Sequence, residues 1–448
     1  MSMELGRVPP QNLEAEQAVL GSLLIDKDAI YRVLEHLSPG DFYRRGHQLI
    51  YQVIVLINEE GEPVDLVTVT EELLKKEQLA KAGGATYLAS LADAVPTAAN
   101  VEYYAKIVAE KALLRSLIDT SAQIAQKGYE AGEEVSELID EAEQMIFSIS
   151  QKKNRVGFVP IKEILLEAFE RIEKLAQQKN SVTGIPTFRE LDKLLSGLQK
   201  SDLIICAARP AMGKTSFCLN IAQNAAVRHK IPVAVFSLEM SKDQLAQRML
   251  CADAMVDQQK MRSGFLVEDD WVKLAHAVGP LAEAPIFIND TPAISVLEVR
   301  AKARRLMGEH GLGLIVIDYL QLMTSHRRAE SRQQEIAQLS RSLKALAREL
   351  DIPVLCLSQL NRGVEQRQDK RPMMSDLLES GSIEADADVV MFIYRDDYYN
   401  QESEKQNIAE IIVAKHRHGP VGTVELAFLK EFTRFYDLEK SYPPSQAG

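Results

Sequence analysis

The sequence predicts two dissimilar parts, an all-α N-terminal region joined by a linker to an α/β region built on a mostly parallel sheet. Three observations carry that expectation. Residues 1 to about 150 place apolar residues at helical spacing between short turn signals. From about residue 182, short apolar runs rich in β-branched residues alternate with helical segments, the pattern of strands covered on both faces. The first of these runs leads directly into Gly213-Lys214-Thr215 and a helix, which is the context of a phosphate-binding loop.

The chain of 448 residues is too long for one ordinary core. At roughly 150 residues per domain, two or three are expected. Apolar residues make up 46% and charged residues 26%, a soluble globular composition. No apolar run approaches the roughly 20 residues of a membrane-spanning helix, and the N-terminus has no signal-like core, so a cytoplasmic protein without membrane contact is expected. Cys206, Cys218, Cys251 and Cys356 lie in apolar segments with no C-x-x-C pair, which favours buried reduced thiols over zinc or disulfides. The net charge of -12, from 52 basic and 64 acidic residues, does not favour nucleic acid, so any DNA contact must rest on local basic clusters.

In the helical region, periodic stretches run from Leu13 to Leu24 and from Val101 to Leu117. Thr68 and Glu71 predict a capping box that opens the helix TEELLKK. Pro39-Gly40, Gly61-Glu62-Pro63 and Gly83-Gly84 separate the helices. His47 stands alone and reads as a surface or core residue rather than a ligand.

Residues 151–158, QKKNRVGF, read as a linker. An amphipathic helix follows, with Ile161, Ile164, Leu165, Ala168, Ile172 and Leu175 on one face. That stripe has two possible seats, its own domain or a neighbouring subunit. The expected boundaries are a helical domain at 1–150, a linker with its helix at 151–181, an ATPase domain at 182–440 and a tail at 441–448.

The predicted strands are LIICA (203–207), VAVFS (233–237), IFIN (286–289), LIVID (314–318), PVLCLS (353–358) and VVMFIY (389–394). AEIIVAKHRHGPVGTVELAF adds two antiparallel edge strands, and Ser295 with Glu298 caps the helix VLEVRAKARRLM.

The loop Ala208-Arg209-Pro210-Ala211-Met212-Gly213-Lys214-Thr215 has alanine where the pattern G-x-x-x-x-G-K-[ST] begins with glycine. Pro210 presets its own φ and pushes Arg209 towards extended geometry, so Arg209-Pro210 shapes the turn instead. Gly213 is the position expected against phosphate. Lys214 would reach the β- and γ-phosphates of ATP, and the Thr215 hydroxyl would bind Mg²⁺. Asp318, at the carboxyl end of an apolar strand, would complete that metal site. Glu239, after another strand, reads either as the carboxylate that polarises water or as a surface residue. Gln359 is a candidate γ-phosphate sensor.

Lys415 and Arg417, between the edge strands, read either as a finger into an adjoining site or as a solvated basic turn. Basic residues gather after two strands, as Arg327, Arg328 and Arg332 and as Arg362, Arg367, Lys370 and Arg371. They read either as a sequence-tolerant grip on nucleic-acid phosphates or as ordinary solvated loops.

With these residues assembled, the chain resembles bacterial replicative DNA helicase of the DnaB family over almost its whole length. PPQNLEAEQAVLGSLL, DAVPTAANVEYYAKIV, AARPAMGKT, FSLEM, LIVIDYLQL, SQLNRGVEQRQDKRPMMSDL, ESGSIEADAD and KHRHGPVGT carry the resemblance. It implies a homohexameric ring with a helical collar and RecA-like motor domains, which translocate 5′ to 3′ on single-stranded DNA and unwind duplex. It also implies that Lys214 and Thr215 are the phosphate-loop pair, Glu239 the catalytic carboxylate, Asp318 the Mg²⁺-site acid and Gln359 the sensor. Lys415 and Arg417 would act in trans. Family DNA contacts map onto Leu378-Glu379-Ser380-Gly381, where Leu378 departs from the usual arginine. The collar and linker helix would join subunits and bind primase and a helicase loader. The family often carries an extra glycine between Thr187 and Phe188, which this chain lacks.

Overall fold

The computed structural model describes residues 8–130, 182–324, 331–377 and 381–438, with isolated positions between 135 and 173. The linker at 151–158, most of the amphipathic segment after it and the tail at 441–448 lie outside the described residues. The chain forms two compact units, Met1–Arg171 and Ile172–Gly448.

The first unit is helical: α1 (Leu13–Ile25), α2 (Ala29–Leu34), α3 (Arg45–Glu59), α4 (Leu66–Lys75), α5 (Ala85–Asp93) and α6 (Val101–Glu130). Val19, Leu20, Ile54, Leu73, Leu88 and Val101 meet in its core. The helix containing TEELLKK starts earlier than Thr68 and Glu71 predict. Asp65 is its cap, accepting from Val67 N at 2.8 Å and Thr68 N at 2.9 Å, while Thr68 Oγ1 accepts from Asp65 N at 3.0 Å. Thr68 thus returns the cap as the third helical residue, because the charged Asp65 side chain suits the positive end of the helix. His47 is a core residue: Nδ1 lies 2.6 Å from Glu16 Oε2 and Nε2 lies 2.7 Å from Tyr87 Oη.

The second unit is built on a nine-stranded sheet of β1 (Leu203–Ala208), β2 (Val233–Ser237), β3 (Ile286–Asn289), β4 (Leu314–Asp318), β5 (Val354–Gln359), β6 (Val389–Tyr394), β7 (Ile408–His416), β8 (Gly422–Leu429) and β9 (Arg434–Asp437). Their order is β3-β2-β4-β5-β1-β6-β7-β8-β9, parallel from β3 to β6 and antiparallel beyond. Successive residues of β1 face two cores: Ile204, Cys206 and Ala208 enter one, and Leu203, Ile205 and Ala207 the other. That double burial is why the strand reads as an unbroken apolar run.

The helices of this unit include α7 (Arg189–Leu195), α8 (Lys214–His229), α9 (Lys242–Ala254), α10 (Gln258–Ser263), α11 (Glu268–Ala282), α12 (Val296–His310), α13 (Arg332–Leu350) and α14 (Gly381–Asp386). Ser295 caps α12, with Ser295 Oγ accepting from Glu298 N at 3.2 Å. At Thr187-Phe188, Thr187 N and Oγ1 donate to the Asp192 carboxylate at 2.6 to 3.1 Å, so the entry loop is closed by α7 itself.

β9 has no counterpart in the sequence reading. Its residue Phe435 donates from N to Asn220 Oδ1 at 2.7 Å and packs on Phe217 and Phe428, which fixes the edge of the sheet to α8. All four cysteines are buried and none is in a disulfide. No helix of the described residues is long and apolar enough to cross a membrane.

Candidate active site

β1 carries the chain to Ala208, which still pairs with Gln359 of β5 and is buried, so the alanine is the end of a strand rather than part of a turn. The turn comes next. Met212 N donates to Arg209 O at 3.4 Å across Pro210 and Ala211, and Ala211 takes φ 65°. Proline in second place and a positive φ in third are the marks of a type II turn. Arg209-Pro210 therefore shapes the loop only in part, because the left-handed residue is Ala211. Gly213 is also left-handed, at φ 94°, and a Cβ there would meet Phe428 Cζ and Phe435 Cζ at 3.1 Å each. Aromatic packing beneath the loop thus also restricts position 213 to glycine.

α8 begins at Lys214, so its free N–H groups and positive end point back into the loop. Lys214 Nζ donates to Ser358 O at 3.4 Å and lies 4.7 Å from the Tyr319 ring centroid. Thr215 Oγ1 donates to Asp318 Oδ2 at 2.7 Å. Asp318 is 3% exposed, and its other oxygen, Oδ1, is buried without a hydrogen-bond partner. Burial pushes the Asp318 carboxyl above its usual range, against the opposing pull of Lys214 and Thr215. A carboxylate with an orphaned oxygen beside a hydroxyl is a donor set that fits a hard divalent cation.

Glu239 follows β2, is exposed, and has no side-chain hydrogen bond among the described residues. It shares its surroundings with Asp318, since both carboxylates raise the Tyr319 hydroxyl and both act on Arg248 of α9. Burial holds the Arg248 guanidinium below its usual range, and its Nε has no hydrogen-bond partner. Gln359 is half-buried at the end of β5. Gln321 joins the two neighbouring strand ends: its Nε2 donates to Ser358 Oγ at 2.9 Å, and Gln359 N donates to its Oε1 at 3.3 Å. Gln321, Tyr319 and Arg248 escaped the sequence reading. For Gln321 the available signal was a polar residue among apolar ones in DYLQL.

Lys415 and Arg417 are not brought to this loop. His416 pairs with Val389, and Val389 stands level with Ile204, four residues before Ala208 and roughly 13 Å down the strand. There they lie on α14. Lys415 Nζ donates to Glu384 O and Ala385 O, and Arg417 Nη2 donates to Ala385 O at 3.3 Å. Arg417 Nη1 also lies 3.4 Å from Asp388 Oδ1. Burial and the neighbouring Arg417 hold the Lys415 ammonium below its usual range.

The basic stretches divide. Arg367 is tied to Asp376 at 2.6 Å, Arg371 is bidentate on the buried Glu410 at 2.9 and 3.0 Å, and Lys370 lies 4.6 Å from the Tyr399 ring centroid. Arg332 donates to Glu335 and to Gln321 O. These four are engaged by partners within the chain. Arg362 is exposed and has no side-chain partner among the described residues. Gly381 opens α14 with open space where a Cβ would stand. Arg327, Arg328, Leu378, Glu379 and Ser380 lie outside the described residues.

A family model described as the DnaB-like helicase C terminal domain matches residues 184–437, and one described as the DnaB-like helicase N terminal domain matches residues 8–110. The chain belongs to the DnaB-like helicase family. It is 58% identical over 442 residues to replicative DNA helicase DnaB of Geobacillus stearothermophilus, covering 98% of this chain and 97% of that relative. It is 56% identical over 438 residues to replicative DNA helicase DnaC of Bacillus subtilis, covering 97% of this chain and 96% of that relative.

Among solved structures, that of a DnaB-like replicative helicase and its interactions with primase is similar with TM-score 0.78 and 39% identity, over 96% of this chain and 100% of that one. The ATPase domain of G40P is similar with TM-score 0.60 and 45% identity, over 63% of this chain and 100% of that one. This DnaB-like helicase is an ATP-dependent replicative DNA helicase, with a helical N-terminal domain and a RecA-like α/β domain. The oxygen donors Thr215 and Asp318 suit the divalent ion that ATPases generally use.

Proposed function

We propose that this DnaB-like helicase hydrolyses ATP at the interfaces of a homohexameric ring, translocates 5′ to 3′ on single-stranded DNA and unwinds duplex at the replication fork. One observation carries the reading. Lys415 and Arg417 stand at the end of the strands opposite their own phosphate loop, a placement that supports their acting on a neighbour's nucleotide. A neighbour supplying that pair would complete the hydrolytic site, and ring closure gives every subunit a neighbour.

In this scheme the loop N–H groups and Lys214 hold the phosphates of ATP, and Glu239 takes a proton from the attacking water. Thr215 and Asp318 would hold Mg²⁺, which would neutralise charge on the nucleotide phosphates. Gln359 senses the γ-phosphate, and the partner's lysine and arginine stabilise the charge that develops. Arg362, Glu379 and Gly381, with Arg327 and Arg328, contact DNA phosphates from each subunit. Contacts of that kind tolerate any sequence. The helical domain and linker helix join subunits and recruit primase and a helicase loader, all in the cytoplasm.

The test is strand displacement from a forked duplex with a free 5′ tail, with ATP and Mg²⁺, together with the mass of the assembly. Six copies and displacement that requires the 5′ tail are expected. Hydrolysis of ATP without displacement would overturn the reading in favour of a recombinase-like DNA-binding ATPase.

A further inference from the structure

Arg209 heads the phosphate loop, yet its side chain is held by the segment that follows β5. Its Nη1 donates to Leu360 O at 3.0 Å, and its Nε donates to Glu365 Oε1 at 2.9 Å. Leu360 comes directly after Gln359, and Glu365 lies in the short 3-10 helix Arg362–Gln366, which begins with Arg362. One planar guanidinium therefore grips the chain just before that helix and again inside it. The Arg209 side chain is 10% exposed, whereas that of Glu365 is 43% exposed.

The acidic and basic groups around this segment are otherwise spoken for. Arg367 is tied to Asp376 and Arg371 to Glu410, so neither competes for Glu365. Asn361 caps the helix, accepting from Gly363 N at 3.1 Å, and Asn361 N donates to Asp376 O at 2.8 Å. The helix is thus a small, well-braced body whose exposed cation is Arg362 and whose tie to the nucleotide loop is Glu365. Glu365 is the half-exposed partner, and Arg209 keeps its bond to Leu360 O without it, so the loss of this pair should cost the fold little. The fork geometry of arginine instead transmits position, because two donors in one plane fix a partner in direction as well as distance.

We infer that the Glu365–Arg209 pair couples DNA held at Arg362 to the phosphate loop, and that Glu365 is a positioning residue for DNA-stimulated ATP turnover. The inference rests on the reading of Arg362 as a DNA contact. A phosphate drawing on Arg362 shifts the 3-10 helix. Glu365 then carries Arg209 with it, and the turn at Arg209-Met212 moves relative to Lys214. This tie leaves β5 on the far side of Gln359 from Gln321, so it reaches the loop without passing through the Ser358 contact.

The experiment compares full-length wild type with Glu365→Gln and Glu365→Ala, measuring ATPase rates with and without single-stranded oligo-dT, DNA affinity by anisotropy, and thermal melting. In both variants the basal rate, KM for ATP, DNA affinity and melting temperature are expected to stay at wild-type values. The DNA-stimulated rate is expected to fall by about fivefold or more, the range of ordinary site-to-site coupling. Glu365→Asp should recover part of it. Stimulation intact in both variants overturns the inference alone, and so does an equal loss with and without DNA. A wild-type rate that ignores DNA overturns the helicase reading, and this inference with it.

Discussion

Thr215 Oγ1 donates to Asp318 Oδ2 at 2.7 Å, joining the first turn of α8 to the end of β4, while Asp318 Oδ1 is left buried and unpaired. Neither strand nor helix gains from an orphaned carboxylate oxygen. The arrangement is therefore ready for a cation and costs the nucleotide-free fold stability.

That cost gives a signed prediction. Burial raises the Asp318 carboxyl, so its ionisation is unfavourable to the fold at neutral pH, and the penalty fades as pH falls through the raised value towards the ordinary range. Asp318→Asn should raise the melting temperature of nucleotide-free protein at about pH 7, with the gain vanishing near pH 4. Its ATP turnover should drop by about 10²-fold or more. A lower melting temperature for the variant at neutral pH would contradict the orphaned-oxygen account.

Gly213→Ala should fail for two reasons, a φ of 94° and a Cβ 3.1 Å from Phe428 Cζ and Phe435 Cζ. The strained backbone alone costs about 1–3 kcal/mol. A lower urea midpoint and lost ATP binding are expected. Adding Phe428→Leu should restore part of the stability, since it removes one of the two steric contacts and leaves that with Phe435 and the backbone part.

Arg417→Ala and Lys214→Ala should each abolish turnover, in the first case by about 10³-fold or more. Mixed in equal amounts and reassembled, they should recover activity. Random mixing leaves about a quarter of the interfaces with both groups intact if the arginine acts across a closed ring. Mixed rings confirmed by mass that stay inactive would place the action of Arg417 within one chain.

Gln321→Ala removes the link from Ser358 to the backbone of Gln359. Such neutral hydrogen bonds are each worth about 1 kcal/mol, so turnover should fall by about tenfold while KM for ATP changes little. A variant with wild-type turnover would show that the two strand ends hold their spacing without this amide.

Much of the site was legible because its residues are local in sequence. Strand, loop and helix around Lys214 lie within one stretch, and Asp318 and Gln359 each close an apolar strand, so periodicity alone put them at one edge of a parallel sheet. The start of α4 was misread because Thr68 and Asp65 can both cap a helix, and only the hydrogen bonds separate cap from partner. Arg367 and Arg371 looked like Arg362 in a basic stretch. Their acids, Asp376 and Glu410, come from later in the chain.

By itself the sequence determined the two-part architecture, the double-sided parallel sheet, the strand, loop and helix that carry Lys214 and Thr215, and the family. These follow from apolar periodicity and from short motifs, which are properties of neighbouring residues. Tertiary structure decided that Gly213 rests on Phe428 and Phe435, that Gln321 ties two strand ends, and that Lys415 and Arg417 lie far from their own phosphate loop on α14. Each of these depends on which strands become neighbours. That pairing is set by burial of whole faces against one another, and no single stretch of chain contains it.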